Sequence, residues 1–154
     1  MSDVRDRWGG ARILAALGMA AAMAGAMHAG FLADPPDEFF ERQPVYVAAA
    51  AAGFIAGWRH LGVRLGRSMM ETLNWSVGAA FLAAIYYSLM LALKDTVDNY
   101  SFAHFTTAMA LINYLIDHAV TRLIRVALLP MSFYILVGAL AAGVLSEAAH
   151  RVWR

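Results

Sequence analysis

From Leu73 to Leu93 the chain carries no charged side chain. A run of that length constrains the fold more than any other feature, because a helix needs about 20 mostly apolar residues to cross a hydrocarbon core about 30 Å thick. In lipid every backbone N–H and C=O must be satisfied within the chain, so a spanning run is either a helix or a strand of a closed barrel. Unbroken runs with no alternation of apolar and polar residues select the helix. Three further runs fit the same reading: 11–33, with Arg12 as its one charge; 44–61; and 126–145, with Pro130 in its first turn, where proline is tolerated. The second run is the shortest. Its strictly apolar part is Val45 to Trp58, and Arg59 must extend toward water if the segment spans. The expected fold is therefore all-α: a polytopic membrane protein with a four-helix transmembrane bundle, forming a single domain over 1–154. The composition agrees. Charged residues make up 15% of the chain and hydrophobic ones 61%, against about 25% charged in ordinary soluble domains. The first run also has the outline of a secretory signal peptide, with an Arg-bearing start and small residues at Ala24 and Ala26. Its length favours a retained helix.

The longest polar stretch, Lys94 to Arg125, lies between the third and fourth runs. Asp95 to Ser101 reads as a turn. Beyond it Phe105, Met109, Ile112, Ile116, Ala119, Leu123 and Val126 recur at spacings of three and four, with Thr106, Asn113, Asp117, Thr121 and Arg125 largely on the other side. This predicts an amphipathic interfacial helix over about 103–125, running on into the fourth span or packed across the end of the bundle.

Charge placement predicts the orientation. Basic residues in short loops mark the cytoplasmic side. Eight of the twelve Lys and Arg residues fall at Arg5, Arg7, Arg12, Arg59, Arg64, Arg67, Arg151 and Arg154. Arg42, Lys94, Arg122 and Arg125 fall on the other side with the acidic stretch Asp34–Glu41. Four spans with both termini in the cytoplasm satisfy this split, which in a bacterium places the protein in the inner membrane. Trp58, Trp75 and Trp153 then lie at the cytoplasmic boundary as interfacial anchors, where indole rings favour the headgroup layer.

Small residues supply the helix contacts. Ala and Gly fill 13 of the 23 positions from Ala11 to Ala33. Gly53 and Gly57, and Ala139 and Gly143, are each spaced four apart. Such residues let helix backbones approach closely where lipid gives no hydrophobic drive to associate. They serve packing within the bundle or a surface for a second copy or another membrane protein.

The missing chemistry narrows function. Without cysteine there is no disulfide, thiol catalysis or iron–sulfur ligation. No phosphate loop, nucleophile–base pattern or nucleic-acid motif is present; Gly53, Gly57, Gly62 and Gly66 lack the preceding strand and the closing Lys-Ser/Thr of a nucleotide loop. The expectation is a protein that is not an enzyme and binds no cofactor. The interiors of the second to fourth runs hold no Asp, Glu, Lys, Arg or His, and ion-coupled transporters need an ionisable group at depth. Met19, Met23, Met27 and His28 are candidate copper ligands, since thioethers and imidazole bind Cu(I), but methionine equally fills helix contacts. The five histidines read as interfacial side chains. At the cytoplasmic end, Arg59, Arg64, Arg67, Arg151 and Arg154 form a basic collar that either anchors topology or holds anionic lipid headgroups or an oxyanion. Glu147 and Arg151 there are spaced for an i,i+4 pair.

The run Gly57-Trp58-Arg59-His60-Leu61-Gly62-Val63-Arg64-Leu65-Gly66-Arg67, and the small-residue fourth helix ending in Glu147, Arg151, Trp153 and Arg154, resemble the TrgA family of tellurite-resistance-associated membrane proteins of alphaproteobacteria. The likeness extends over roughly 11–154. It implies a small inner-membrane protein associated with tellurite or envelope-stress tolerance, and it carries over no reaction or ligand. From the residues alone, the alternatives are an accessory transmembrane subunit of a larger respiratory or photosynthetic complex and, disfavoured by the uncharged spans, a transporter. The implied partners are membrane lipids and either a second copy or a larger membrane complex, with no nucleic acid.

Overall fold

The structure, a computed structural model, describes residues 3–33, 42–100, 107–128 and 130–153; for 3–8, 99 and 100 it describes the backbone alone. The order is α1 (Asp3–Ala33), α2 (Arg42–Ala56) continued by a π-helical turn (Gly57–Leu61), α3 (Met69–Tyr100), α4 (Ala108–Ala127) and α5 (Met131–Val152). No strand occurs among the described residues. Three helical segments are long and apolar enough to cross a membrane: Gly9–Ala33, Met69–Asp98 and Met131–Val152. They mark a membrane protein. The helix α2 has 15 residues and the π-turn adds 5, so the second run is the short one in the structure as in the sequence.

The helix α1 packs against both α2 and α5, and α3 packs against the same two and against α4. The inward face of α1, Ala11, Ala15, Met19, Met23, Ala26 and Met27, is at most 1% exposed. The faces that meet it are built from alanine and glycine. A Cβ on Gly57 would lie 2.8 Å from the Ala16 Cα, and one on Gly53 would lie 2.7 Å from the Met19 carbonyl carbon. Both glycines are therefore where the backbones of α1 and α2 touch. Ala139 is fully buried, and the Gly143 Cα faces the Ser76 side chain on α3. Hydroxyls buried between helices are satisfied locally. Ser76, Ser88, Thr96 and Ser146 each donate to the carbonyl four residues earlier, at 2.6–2.8 Å. That back-bonding lets a polar side chain sit in an apolar contact.

Three expectations are corrected. The stretch from Asp95 is not a turn, because α3 continues to Tyr100. Lys94 pairs with Asp98 along the helix, and Thr96 bonds back to Ala92; hydropathy ends at Leu93, but helical hydrogen bonding does not. The fourth span does not begin at Val126, which is the buried end of α4, and the two helices are not continuous. Leu128 is extended (φ −76°, ψ 148°) and Pro130 caps α5. Proline lacks the N–H a continuing helix needs and disfavours helical geometry just before it. Apolar residues on both sides of the break concealed it. At its other end α5 runs past Leu145 to Val152, so Glu147 and His150 lie within it.

The third correction concerns α4, whose predicted apolar face splits in two. Ala119 and Val126 are buried and Leu123 packs against the core, while Met109, Ile112 and Ile116 are 51–64% exposed. With Val120 and Ile124 the latter form an exposed apolar stripe beside the polar Asn113, Asp117, Thr121 and Arg125. Residues 103–106 of the predicted helix, the acidic stretch Asp34–Glu41 and Arg154 lie outside the described residues.

Candidate functional site at the arginine–tryptophan end

Where α2 ends, the backbone widens into the π-turn. The Gly62 N–H donates to the Gly57 carbonyl five residues back at 2.7 Å. Single π-turns inside helices are frequent at functional positions. Arg12 of α1 fills the opening: its Nε donates to the Trp58 carbonyl at 3.1 Å, and its guanidinium lies over the Trp58 ring, 4.5 Å from the centre. Trp58 in turn stacks on Phe54 one turn earlier, nearly parallel at 10°.

The loop from Gly62 to Ser68 then folds back onto α5. Gly66 has φ +88°, in the left-handed region, and the His150 ring occupies the space a Cβ would need. Glycine is required there on both counts. The Gly66 N–H donates to Glu147 Oε2 at 2.8 Å. The Thr72 hydroxyl of α3 donates to the same oxygen at 3.2 Å, and Arg151 Nε donates to the other at 3.0 Å. Glu147 is 1% exposed. One buried carboxylate thus latches the loop, α3 and α5 together, with a donor from each. Ser68 closes the loop by accepting from the Glu71 N–H at 3.1 Å, capping the first turn of α3.

The latch determines where the arginines stand. Arg64 lies over Trp75 of α3, its guanidinium carbon 3.1 Å from the ring centre. Arg67 pairs with Glu71 at 3.2 Å and Arg151 with Glu147. Arg59 is exposed. Trp153 packs over Gly10, where a Cβ would meet its ring at 2.6 Å. Arg59, Arg64, Arg67 and Arg151 and all three predicted tryptophans are therefore at one end of the bundle. Sequence reasoning missed four participants: Arg12 as a partner of the π-turn, and Gly66, Thr72 and His150 around Glu147. The signal available for Glu147 was a lone carboxylate close behind an apolar helix. The structure places it inside that helix, where its donors all come from the protein itself. It acts as a structural anion.

The copper candidates do not converge. Met19, Met23 and Met27 are buried in the core, while His28 is exposed and hydrogen-bonded to the Tyr46 hydroxyl at 2.9 Å. No group of three or more His, Asp or Glu side chains among the described residues is placed to hold a metal. At the opposite end Arg122 bonds Asp95 of α3, and a cleft of about 280 Å³ is lined by Asp117, His118, Thr121, Arg122 and Arg125. Charges of both signs line it, so it is not selective for anions. Comparison with protein-family models, with curated proteins and with solved structures finds no match.

Proposed function

We propose that the chain is a four-span inner-membrane protein with both termini cytoplasmic, a non-catalytic scaffold of the TrgA type that contributes to tellurite or envelope-stress tolerance. In this reading its arginine–tryptophan end is a collar at the cytoplasmic leaflet that contacts anionic headgroups or an anion. The observation that carries the four-span topology is the height of α2 with its π-turn. At one end Tyr46 meets His28 near the end of α1, and at the other Gly57 touches Ala15 and Ala16 while Arg12 reaches Trp58. The short second segment thus runs alongside the apolar length of α1. The 15 α-helical residues rise about 22 Å and the π-turn extends them further, toward a hydrocarbon thickness of about 30 Å. The exposed apolar stripe of α4 fits an outer interface, where it faces acyl chains and Asn113, Asp117 and Thr121 face water.

The chain has no cysteine, so single cysteines report topology cleanly. Val63→Cys and Asn113→Cys both lie at exposed positions. A membrane-impermeant maleimide applied from the periplasmic side is expected to label Asn113→Cys and to label Val63→Cys only after lysis. Labelling of both from the same side refutes the topology. A deletion strain as tolerant of tellurite as its parent refutes the physiological part.

A second reading, an accessory subunit of a larger respiratory or photosynthetic complex, is favoured by a groove of about 380 Å³ between α1 and α5. Its floor is Ala21, Gly25 and Ala29, and a Cβ on Gly25 would touch nothing within 4 Å. Among the described residues nothing packs against that glycine at the place of a side chain. Comigration with a large complex in mild detergent supports this reading, and a free monomer or dimer removes it.

A further inference from the structure

The collar arginines differ in what neutralises them. Arg67 and Arg151 each hold a carboxylate, Glu71 and Glu147. Arg12, Arg59 and Arg64 pair with no carboxylate among the described residues. All three flank the short segment from Trp58 to Arg64, because Arg12 lies across the π-turn with its stem against Gly62. Two of them lie over indole rings, Arg12 over Trp58 and Arg64 over Trp75. A guanidinium on an aromatic face keeps its in-plane N–H donors at the edge, in the fork that fits two oxygens of a phosphate. Arg64 is part-exposed, so the rest of its fork is open to a ligand although its Nη1 is covered. Apolar surface adjoins the cations: Phe54 is 41% and Val63 51% exposed.

We propose that Arg12, Arg59 and Arg64 form a binding site for the phosphate of an anionic phospholipid in the cytoplasmic leaflet, with Phe54 and Val63 beside its acyl chains. The inference rests on the topology above, and it names a ligand and a residue set that the five-arginine collar did not. Arg12 belongs to the site although the collar omitted it. Arg67 and Arg151 are excluded, because their charges are already spent on carboxylates. The apolar rim selects a lipid over a free anion, which has no use for Phe54 and Val63.

The test titrates the full-length chain in mild detergent with short-chain phosphatidylglycerol, phosphatidylcholine or inorganic phosphate, and reads bound ligand by native mass spectrometry. Phosphatidylglycerol is expected to bind in preference to phosphatidylcholine. Arg59→Gln and Arg64→Gln are each expected to weaken it about fivefold, the effect of one basic residue near an anionic surface. Arg125→Gln, on the far end of the bundle, changes nothing. Arg64→Lys retains charge but loses the planar fork and gives an intermediate loss; with the exposed Arg59→Gln it keeps the test valid if Arg64→Gln fails to fold. Equal binding of the two lipids overturns the proposal, as does an Arg125→Gln loss as large as that of Arg59→Gln. Displacement of the lipid by inorganic phosphate with the same arginine dependence overturns the lipid assignment in favour of a free anion. Cysteine labelling on the same strains separates the two levels: if Val63→Cys and Asn113→Cys report opposite sides while lipid preference is absent, this inference alone fails.

Discussion

Replacing Glu147 by glutamine removes the charge of the latch and almost none of its volume. In the native chain one carboxylate oxygen accepts from the Gly66 N–H and the Thr72 hydroxyl, and the other from Arg151 Nε. An amide keeps one acceptor oxygen for Gly66 and Thr72, which share one oxygen in the native chain, and turns its NH₂ group toward Arg151. Hydrogen bonds to charged groups contribute about 1.5–3 kcal/mol each and neutral ones about 0.5–1.5 kcal/mol. Arg151 is half-exposed and regains water, so its share is small. Gly66 and Thr72 carry the effect: each bond loses its charge-assisted part, and the loop is destabilised by about 2 kcal/mol relative to its opened form. At 1.4 kcal/mol per tenfold, the open population rises about thirtyfold. The loop contains Arg64 and Arg67, two trypsin sites, and cleavage of a transiently opened segment tracks its open population when reclosing is fast. Limited trypsin digestion of the detergent-solubilised protein, with the cut mapped by mass, is therefore expected to proceed about thirty times faster at this loop in Glu147→Gln, with helical content unchanged. A rate within twofold of the parent in a folded variant refutes the latch.

Gly57→Val is expected to lower the thermal midpoint in detergent, because its Cβ enters the backbone of Ala15 and Ala16 and such overpacking costs about 1–3 kcal/mol; an unchanged midpoint refutes the close contact of α1 with α2. Asp95→Asn breaks the contact that ties α4 to α3 through Arg122, a partly exposed pair, and amides of α4 are expected to exchange faster while those of α1 and α5 do not. Uniform exchange across all helices refutes the assignment of that pair to α4.

The helical class, three of the runs that can cross a membrane and the segregation of arginines and tryptophans were legible in the chain, because each is a property of composition along one dimension. Lipid selects for length and apolarity, and α1, α3 and α5 state both in their own residues. Where helices end was less legible. The 94–100 segment is polar yet helical, since backbone hydrogen bonding and the Asp95–Arg122 contact continue after hydropathy stops. The break at Leu128–Pro130 was masked by apolar neighbours, and at its other end α5 continues past Leu145 to Val152, which puts Glu147 inside the helix.

What only the tertiary structure decided is what else holds these charged groups. The i,i+4 pairs of Arg67 with Glu71 and of Arg151 with Glu147 are local in the chain. Glu147 and Gly66 are 81 residues apart, and no periodicity connects them. Nor does the sequence place Arg64 over Trp75 or let Arg12 cross from α1 to the Trp58 carbonyl; the folded loop does. Apolar burial acts through the average character of a segment, so one sequence suffices to read it. Contacts of a few ångströms between residues distant in the chain are specified only by the packed bundle.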